Sequence, residues 1–273
     1  SFAGNSFTCE PVNLLVHRRQ LSPNGLSFAA HRAAEEASSE FLRSTDNNFR
    51  PVQARTGPDG CLWIVDMSRA VIEHPRWIPE EVRETLDIRA GDRRGRIYRI
   101  RPASTETRQV PKIETATNAE LIAALDSPNG IVRDLAQQQI LRRDIDTLAP
   151  LLLDYAKNPD TLPAGRSAAL WSLAIANRLD ELSLQAAITS SSPFLRQQAA
   201  RILARTAEIP PFAESLLLTL HNETDDRVLA EAIAAAHRLD QPAIAELVRH
   251  WYRTHGENAD IGFLILRGVQ EQN

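Results

Sequence analysis

Residues 44–67 read STDNNFRPVQARTGPDGCLWIVDM, and residues 91–100 read GDRRGRIYRI. The centre of the first stretch, Gly57-Pro58-Asp59-Gly60, is a tight-turn signal, because proline presets φ and glycine permits a positive φ. An extended run precedes this turn, and the β-branched and aromatic run Leu62–Val65 follows it. Gly95–Ile100 is a third run of the same kind. The stretch therefore predicts a three-stranded meander, which is the pattern of a β-propeller blade.

Residues 5–31 repeat this pattern more faintly. The run Ser6–Pro11 aligns with Leu62–Met67, which places Glu10 beside Asp66 and Cys9 beside Val65. Residues 1–105 are therefore predicted to be β-rich and to hold the last one to two blades of a β-propeller. A propeller has at least four blades of about 40–50 residues each, so we expect this chain to be the C-terminal part of a longer protein. Strands are expected near residues 6–10, 14–20, 26–31, 51–56, 61–67 and 95–101.

Residues 106–115 are predicted to be a linker, after which the apolar period changes from two to that of a helix. Arginines then recur at spacings of 33, 30 and 31 residues, namely Arg133, Arg166, Arg196 and Arg227. An apolar residue follows each of them by seven positions: Ile140, Leu173, Leu203 and Ala234. Paired helices at about 30-residue spacing stack into an α-solenoid, in which neighbours bury a shared core. Residues 116–273 are therefore predicted to be a HEAT-like α-solenoid of nine to ten helices, with the four arginines bonded to neighbouring repeats.

Several separate motifs occur in a fixed order along the first hundred residues. They are CEPVNLLVHR (9–18), TDNNFRPV (45–52), GPDG with LWIVDM (57–67), IEHP with WIPEEVR (72–83) and RAGDRRGRIYRI (89–100). In these motifs the chain resembles the large planctomycete and verrucomicrobial proteins called membrane-bound dehydrogenase domain proteins. The resemblance implies a quinoprotein-like propeller, then HEAT-like repeats, and usually a c-type cytochrome domain after them. It covers residues 1–105 closely and the remainder only at the level of repeats.

Composition excludes some classes of partner. Apolar residues make up 43%, charged residues 24%, and the net charge is −4, so the chain has no strong basic footprint for nucleic acid or an anionic membrane surface. No apolar run approaches the ~20 residues of a membrane span. Cys9 and Cys61 fall at different ends of aligned strands, too far apart for a disulfide, so free buried thiols are expected. Neither belongs to a C-x-x-C-H motif, so we expect no haem attachment site and no metal site in this chain.

Arg50 is the strongest candidate for ligand binding. It opens the strand before the GPDG turn, and the first strand of a blade lines the channel of a propeller. Its planar guanidinium suits carboxylates, quinone oxygens or sugar hydroxyls. In the quinoproteins that the chain resembles, channel arginines bind pyrroloquinoline quinone (PQQ). Asp46 and Asn47 precede Arg50 at the predicted channel mouth. The alternatives are structural: pairing of Arg50 with an acid, and turn chemistry for Asp46 and Asn47.

Asp66 and Arg69 end the second strand of this blade and are weaker candidates for cofactor binding. The repetition of an acid at Glu10 and Asp66 favours a structural role, such as pairing between blades. His17 and His74 are further candidates, because a histidine near neutral pKa can act as the base in alcohol oxidation. The sequence assigns no catalytic residue.

Two classes of function follow. In the first, the chain belongs to a PQQ-type sugar or alcohol dehydrogenase. Its HEAT array then spaces or docks the propeller toward an electron-accepting c-type cytochrome, with haem only in a domain outside this chain. The resemblance also implies a periplasmic or exported location. We expect the chain alone to be inactive.

In the second class of function, propeller and solenoid form a non-catalytic scaffold that binds protein or polysaccharide. Both classes have the rest of the chain's own propeller as a partner, and neither involves nucleic acid.

Overall fold

The structure is a computed structural model that describes residues 2–103 and 109–271. The chain divides into two compact units, Ser1–Val110 and Pro111–Asn273, which we call the sheet unit and the helical unit. Residues 106–108 of the predicted linker lie outside the described residues. The rest of that segment has no regular structure up to Lys112 and then forms a short 3-10 turn at Ile113–Thr115.

The described residues of the sheet unit form seven strands in two antiparallel sheets. They are β1 (Asn5–Glu10), β2 (Leu15–Asn24), β3 (Ser27–His31), β4 (Leu42–Arg43), β5 (Pro51–Thr56), β6 (Leu62–Asp66) and β7 (Arg96–Ile100). The first sheet has the order β1-β2-β3, with β4 also paired with β2, and the second has the order β5-β6-β7. The six predicted strands are confirmed, whereas the sequence did not predict β4. Neither sheet closes into a barrel or a propeller within the described residues.

The predicted turn between β5 and β6 is confirmed. The amide of Gly60 donates to Gly57 O at 2.9 Å, and Gly60 has a φ of 79°. The carboxylate of Asp59 accepts hydrogen bonds from the Cys61 amide and from Trp63 Nε1, both at 3.0 Å. A Cβ at Gly57 would lie 2.3 Å from Trp63 Nε1. Both glycines are therefore required here, one for its positive φ and the other for the close approach of the indole.

The two sheets share a pattern of cross-strand pairs. In each, an aromatic residue lies opposite an arginine, next to a pair of smaller apolar residues: Phe7 and Arg18 with Cys9 and Val16, then Trp63 and Arg99 with Val65 and Ile97. Register partners point to the same side of a sheet, so each set lies on one face. This register agrees with the predicted alignment of Cys9 with Val65. The second sheet also carries an insertion between β6 and β7, which contains the short helix α1 (Glu80–Arg83).

The described residues of the helical unit contain ten helices, as predicted. They are α2 (Asn118–Ala124), α3 (Gly130–Arg142), α4 (Ile145–Lys157), α5 (Pro163–Ile175), α6 (Glu181–Ile188), α7 (Pro193–Arg205), α8 (Ala213–Leu218), α9 (Asp226–Ala236), α10 (Pro242–His255) and α11 (Ala259–Glu271). Helices α3, α5, α7, α9 and α11 pack in one row, while α2, α4 and α6, and then α8 and α10, pack in a second. Within residues 2–103 and 109–271, no helix is long and apolar enough to cross a membrane.

Short polar side chains and prolines define where these helices begin. A side-chain oxygen of the residue before the helix accepts an amide hydrogen bond at Thr117, Asn129, Asp144, Asp180, Ser192 and Asp225. Proline occupies the first turn of α5, α7 and α10, where its missing N–H costs no intrahelical bond. Such local signals occur at every repeat, which explains why the sequence alone predicted the helix pairs.

The prediction for the four repeat arginines is confirmed for two of them. Arg166 donates to Ala156 O (2.8 Å) in α4 and to Ala186 O (3.0 Å) in α6, and so joins three helices. Arg196 in α7 donates twice to Glu223, at 2.6 and 3.0 Å, just before α9. These bonds hold neighbouring repeats in register.

The same prediction is wrong for the other two arginines. Arg133 donates to Ser127 O (2.6 Å) and Arg227 to Asp225 (2.7 Å), both within their own repeat. Arg227 is also not the equivalent of Arg196, because it is the second residue after its cap, whereas Arg196 is the fourth. The caps of α7 and α9 are 33 residues apart, not 31, so Ala234 is exposed where the aligned residues of α3, α5 and α7 are buried. Loops of unequal length between helices break a strict sequence period.

Cys9 and Cys61 are both free thiols, as predicted. Cys61 is buried and Cys9 is half-buried. Burial raises the pKa of both thiols, and the neighbouring Asp59 raises that of Cys61 further. A raised pKa keeps them protonated at neutral pH, so neither is an activated nucleophile.

Candidate functional site

Asp66 is a hydrogen-bonding centre at the end of β6. Its side chain is almost wholly buried. Oδ1 accepts from the amides of Arg50 and Ser68, both at 2.8 Å, and Oδ2 accepts from Arg96 Nε at 3.0 Å. These bonds fix the chain before β5, after β6 and at the start of β7. All the partners flank its own sheet, so the predicted pairing of this acid between sheets is wrong.

Arg50 connects the two sheets through backbone carbonyls. Its Nε donates to Arg69 O and its Nη2 to Ala70 O, both at 2.7 Å. Nη1 donates to Pro11 O at 2.7 Å and to Val12 O at 3.4 Å, immediately after β1. Four carbonyl acceptors thus take up most of the five N–H groups of the guanidinium. The Arg50 side chain does not pair with an acid, which was the structural alternative, because every acceptor of its guanidinium is a backbone carbonyl.

Asp46 and Asn47 differ in what they contact. Asp46 Oδ1 accepts from the Asn48 amide at 2.9 Å, and Oδ2 accepts from Arg96 Nη2 at 3.0 Å. The Asn48 amide and then the Arg96 guanidinium hold the pKa of Asp46 below its usual value. Asn47 is exposed. The structure therefore links Asp46 to Asp66 through Arg96, which the sequence did not single out, and the turn chemistry predicted for Asp46 is present.

Arg69 lies where the chain leaves the second sheet. Its carbonyl accepts from Arg50, and the next amide, of Ala70, donates to Ala90 O at 3.1 Å. Gly91 approaches this segment so closely that a Cβ there would lie 2.0 Å from Ser68 O. The guanidinium of Arg69 is half-exposed and forms no hydrogen bond or ion pair among the described residues. Among the candidates, Arg69 alone combines a charged head with free donors.

These five residues do not by themselves form a site for a quinone. Arg50 already donates to four carbonyls, Asp46 and Asp66 are bound by Arg96, and Asn47 is exposed. A quinone with carboxylate groups needs several converging donors, and among the five residues Arg69 alone offers a charged group with free donors. We therefore derive no catalytic step through these residues. No cluster of three or more His, Cys, Asp or Glu within residues 2–103 and 109–271 has the geometry to hold a metal ion.

The two candidate histidines have separate surroundings. His17 Nδ1 lies 2.6 Å from Glu40 Oε2, and Arg32 Nη2 donates to Glu40 Oε1 at 2.9 Å. His17 and Arg32 together hold the pKa of Glu40 below its usual value. His74 is exposed in the insertion, where Nδ1 accepts from the Arg76 amide at 3.2 Å. Within the part of the chain that the structure describes, neither histidine shares a hydrogen-bond partner with Arg50 or Asp66.

The helical unit contains a groove of about 410 Å³ across α3, α5 and α7. Its apolar floor and rim come from Trp171, Ile175 and Phe194, of which Ile175 is 64% exposed and Phe194 44% exposed. Trp171 Nε1 donates to Gln198 Oε1 at 3.0 Å, which satisfies the polar atom of the ring. Asp134 lies at the edge of the groove, is exposed, and makes no ion pair among the described residues. Arg133 also lines the groove, so its lining combines apolar surface with one acid and one arginine.

The sequence analysis did not identify this groove, although a signal was present. Leu170 and Leu173 of α5 are fully buried, while Trp171 and Ile175 lie one turn apart on the other side of the same helix. Large apolar residues that lie together on the face opposite the core form an exposed patch, and such patches often mark interaction sites. The signal was hidden because α5 is apolar on both sides, so its period alone does not tell core from groove.

The comparisons with known proteins give one match. A family model described as a domain of unknown function (DUF7133) matches residues 1–104. These residues include all the motifs that carry the resemblance, and they end four residues after β7. A search of curated proteins returned no match, and a search of solved structures returned none either.

Proposed function

We propose that this chain is a non-catalytic binding scaffold whose helical unit binds a polypeptide segment in the groove at Trp171 and Phe194. The groove is the observation that carries the proposal, because it is apolar surface left exposed in a unit that buries 37 apolar residues elsewhere. The sheet unit in this proposal contributes two neighbouring blades of a propeller, and the helical unit is a HEAT-like α-solenoid.

Three observations support the two blades. The sheets are successive antiparallel meanders with the same aromatic–arginine pairing. Strand β5, the first of the second sheet, packs against β1 of the first. Arg50 then ties the chain before β5 to the chain after β1. Successive blades of a propeller pack in this manner, each against its neighbour.

The spacing of helix caps supports the solenoid. Residues 129, 162, 192 and 225 precede α3, α5, α7 and α9, so the repeats are 33, 30 and 33 residues long. Each helix of this row packs against the next, as in a HEAT array. Stacked repeats create an extended surface along one row, which is where the groove lies.

The charge of the helical unit indicates the kind of segment that the groove binds. Residues 111–273 hold 15 Lys and Arg against 21 Asp and Glu, a net charge of −6. At the groove itself Asp134 is an exposed carboxylate, whereas the guanidinium of Arg133, the other charged lining residue, donates to Ser127 O. A segment with an apolar side chain for the groove and basic residues beside it is complementary to both features.

Two labelled peptides of about ten residues test the proposal by fluorescence anisotropy. Both carry the same leucine and phenylalanine, and they differ in having two lysines or two serines beside them. We expect the basic peptide to bind the full chain at least about tenfold more tightly than the uncharged one. Ile175→Asp and Asp134→Lys should each weaken binding of the basic peptide about tenfold or more, since both change the groove without touching the core.

Leu182→Asp is the matched control, because Leu182 is equally exposed but lies on α6 in the other row. It should leave the affinity within twofold of wild type. Equal binding of the two peptides, no binding at all, or binding that Ile175→Asp leaves unchanged would overturn the proposal.

A PQQ-type sugar or alcohol dehydrogenase is the second candidate, because the family match covers the same residues as the motifs of the resemblance. In this candidate the helical unit spaces or docks the sheet unit toward a c-type cytochrome in a periplasmic or exported protein. Titration with PQQ separates the two candidates. Tight binding that Arg50→Ala or Arg69→Ala weakens tenfold favours the dehydrogenase, and no binding by the wild type favours the scaffold.

A further inference from the structure

The two sheets carry equivalent faces, of which one is covered and one is open. The covered face consists of Phe7, Cys9, Val16 and Arg18 of the first sheet. The open face consists of Arg55, Trp63, Val65, Ile97 and Arg99 of the second sheet. Val16 in β2 lies opposite Cys9, and Ile97 in β7 lies at the equivalent place opposite Val65. Val16 is fully buried, whereas Ile97 is 65% exposed. Among the residues that the structure describes, the same surface therefore has a cover in the first sheet and none in the second.

The segment Ala33–Phe41 covers the first sheet, and its contacts show what such a cover needs. Glu36 accepts from Arg18 Nε at 2.8 Å, and Glu35 accepts from Arg18 Nη2 at 2.5 Å. The ring of Phe41 packs edge-on against Phe7, with centroids 4.9 Å apart. The cover thus supplies two adjacent carboxylates that bind Arg18 and one aromatic ring that packs on Phe7. Arg18 becomes buried as a result, which is tolerated only because it is paired.

The open face has the complementary groups for a cover of the same chemistry. Arg55 and Arg99 are the register partners of Trp63 on its two sides, so two guanidinium groups flank one indole. The Arg99 guanidinium lies over the Trp63 ring at 6.0 Å and is 3.5 Å from the carboxylate of Asp59. Arg55 is exposed and makes no ion pair among the described residues. Val65 and Ile97 supply apolar surface beside this charged row.

We propose that the open face binds an acidic polypeptide segment that carries two adjacent carboxylates and an aromatic ring, the chemistry of Ala33–Phe41. The carboxylates pair with Arg55 and Arg99, and the ring packs on Trp63 and Ile97. Opposite charges and an apolar anchor give such an interface both orientation and affinity. This site lies in the sheet unit and is independent of the groove of the helical unit, which takes a basic segment.

A peptide with the sequence of residues 33–43, AAEEASSEFLR, is the probe, titrated into the full chain by isothermal calorimetry. We expect it to bind the wild type, and we expect a peptide with Glu35→Gln and Glu36→Gln to bind at least about tenfold more weakly. Ile97→Asp and Arg55→Glu in the protein should each weaken binding to a similar extent. Raising the salt concentration from 50 to 500 mM should weaken binding too, because salt screens the attraction between charged groups that are exposed before binding.

Phe28→Asp is the matched control, because Phe28 is a comparably exposed strand residue of the first sheet. Its affinity should stay within twofold of wild type. Ile97→Asp also identifies a peptide that only displaces the cover of the first sheet, since such binding would be unaffected by this substitution. No binding by the wild type, or binding that neither Ile97→Asp nor Arg55→Glu weakens, would overturn the proposal.

Discussion

The sheet unit and the helical unit are stabilised in different ways. Among the described residues, the sheet unit buries five apolar side chains, Val16, Ala33, Phe49, Cys61 and Ile64, and five polar or charged ones, Arg18, Glu36, Asp59, Asp66 and Ser68. The helical unit buries 37 apolar residues and only six polar ones. One unit therefore depends on directional bonds between a few groups, and the other on apolar packing spread over many.

This difference decides how each unit responds to change. Apolar burial stabilises by about 25 cal/mol per Å² and involves no group that titrates. A buried hydrogen bond contributes only about 1 kcal/mol net, but its loss leaves a partner unsatisfied, which costs more. Substitutions at single polar residues should thus affect the sheet unit most, and truncation of apolar residues should affect the helical unit most.

One reporter follows both units in the same sample. Trp63 lies in β6 and Trp251 in the core of the helical unit, where its Nε1 donates to Leu220 O at 3.2 Å. Fluorotryptophan labelling with ¹⁹F NMR during urea unfolding therefore gives separate transitions for the two units. Assignment follows from replacing each tryptophan by phenylalanine in turn.

The largest expected effect is that of Leu173→Ala. Leu173 is fully buried in α5, so truncation removes its transfer free energy and leaves a cavity between helices. We expect the free energy of unfolding of the helical unit to fall by about 3–5 kcal/mol, with the Trp63 transition unchanged. Leu182→Ala, at an exposed position of α6, should change it by less than about 0.5 kcal/mol. Equal losses at both positions would contradict packing as the source of stability.

Asp66→Ala should have the next largest effect, and only in the sheet unit. It leaves the Arg50 and Ser68 amides without their acceptor and Arg96 without one of its two carboxylates. We expect a loss of about 2–4 kcal/mol in the Trp63 transition. Glu10→Ala, at the aligned position of β1, serves as the control and should cost less than about 1 kcal/mol. A shift of the Trp251 transition instead would show that the units do not respond separately.

Gly165→Ala tests packing in the opposite direction, by adding an atom. A Cβ at this position of α5 would lie 2.3 Å from both Leu125 O and Tyr155 Oη, so α5 must move away. We expect a loss of about 1–3 kcal/mol in the helical unit. Gly130→Ala adds the same atom in α3, where its nearest neighbour is Arg133 Nη2 at 3.5 Å, and should be close to neutral. If Gly165→Ala left the free energy of unfolding unchanged, α5 would not approach Leu125 and Tyr155 as closely as described.

The smallest expected effect is a dependence on acid pH in the helical unit. Burial raises the pKa of Glu223, but bonds from Arg196 and from the Asp225 and Thr224 amides outweigh it and hold the pKa below its usual value. Because the pKa is lower in the folded state, this carboxylate stabilises the folded protein at a pH above its unfolded-state pKa of about 4.3. The contribution is lost as the pH falls through the pKa of the folded state. Between pH 7 and pH 3, wild type should therefore lose more stability than Glu223→Gln. An equal loss in both proteins would exclude this carboxylate as the cause.

Much of the fold was predictable because its signals are local. The GPDG turn and the alternating runs around it determine β5 and β6, and capping residues such as Ser192 and Asp225 mark where helices begin. Strand β4 was missed because two residues are too short for a periodic signal. Arg227 was misaligned because the loop before α9 differs in length from the others, and a fixed period cannot detect that.

The candidate site was less predictable, since a side chain's partners lie far away in sequence. Arg50 was correctly placed at the opening of β5, but the sequence gives no sign that Pro11 and Ala70 offer their carbonyls to it. Arg96 was not singled out, although it links Asp46 and Asp66 across 50 and 30 residues. The binding of PQQ by Arg50, Asp46, Asn47, Asp66 and Arg69 stays a prediction.

Arg50 also bears on how the sheet unit opens. Its side chain holds carbonyls 39 residues before it and 19 and 20 residues after it, so three distant parts of the chain meet at one guanidinium. Amides of both sheets should therefore exchange with solvent in one cooperative opening, since releasing this group frees both sheets at once. The helical unit is built from contacts between neighbouring repeats, so its amides should exchange progressively from the ends of the stack inward.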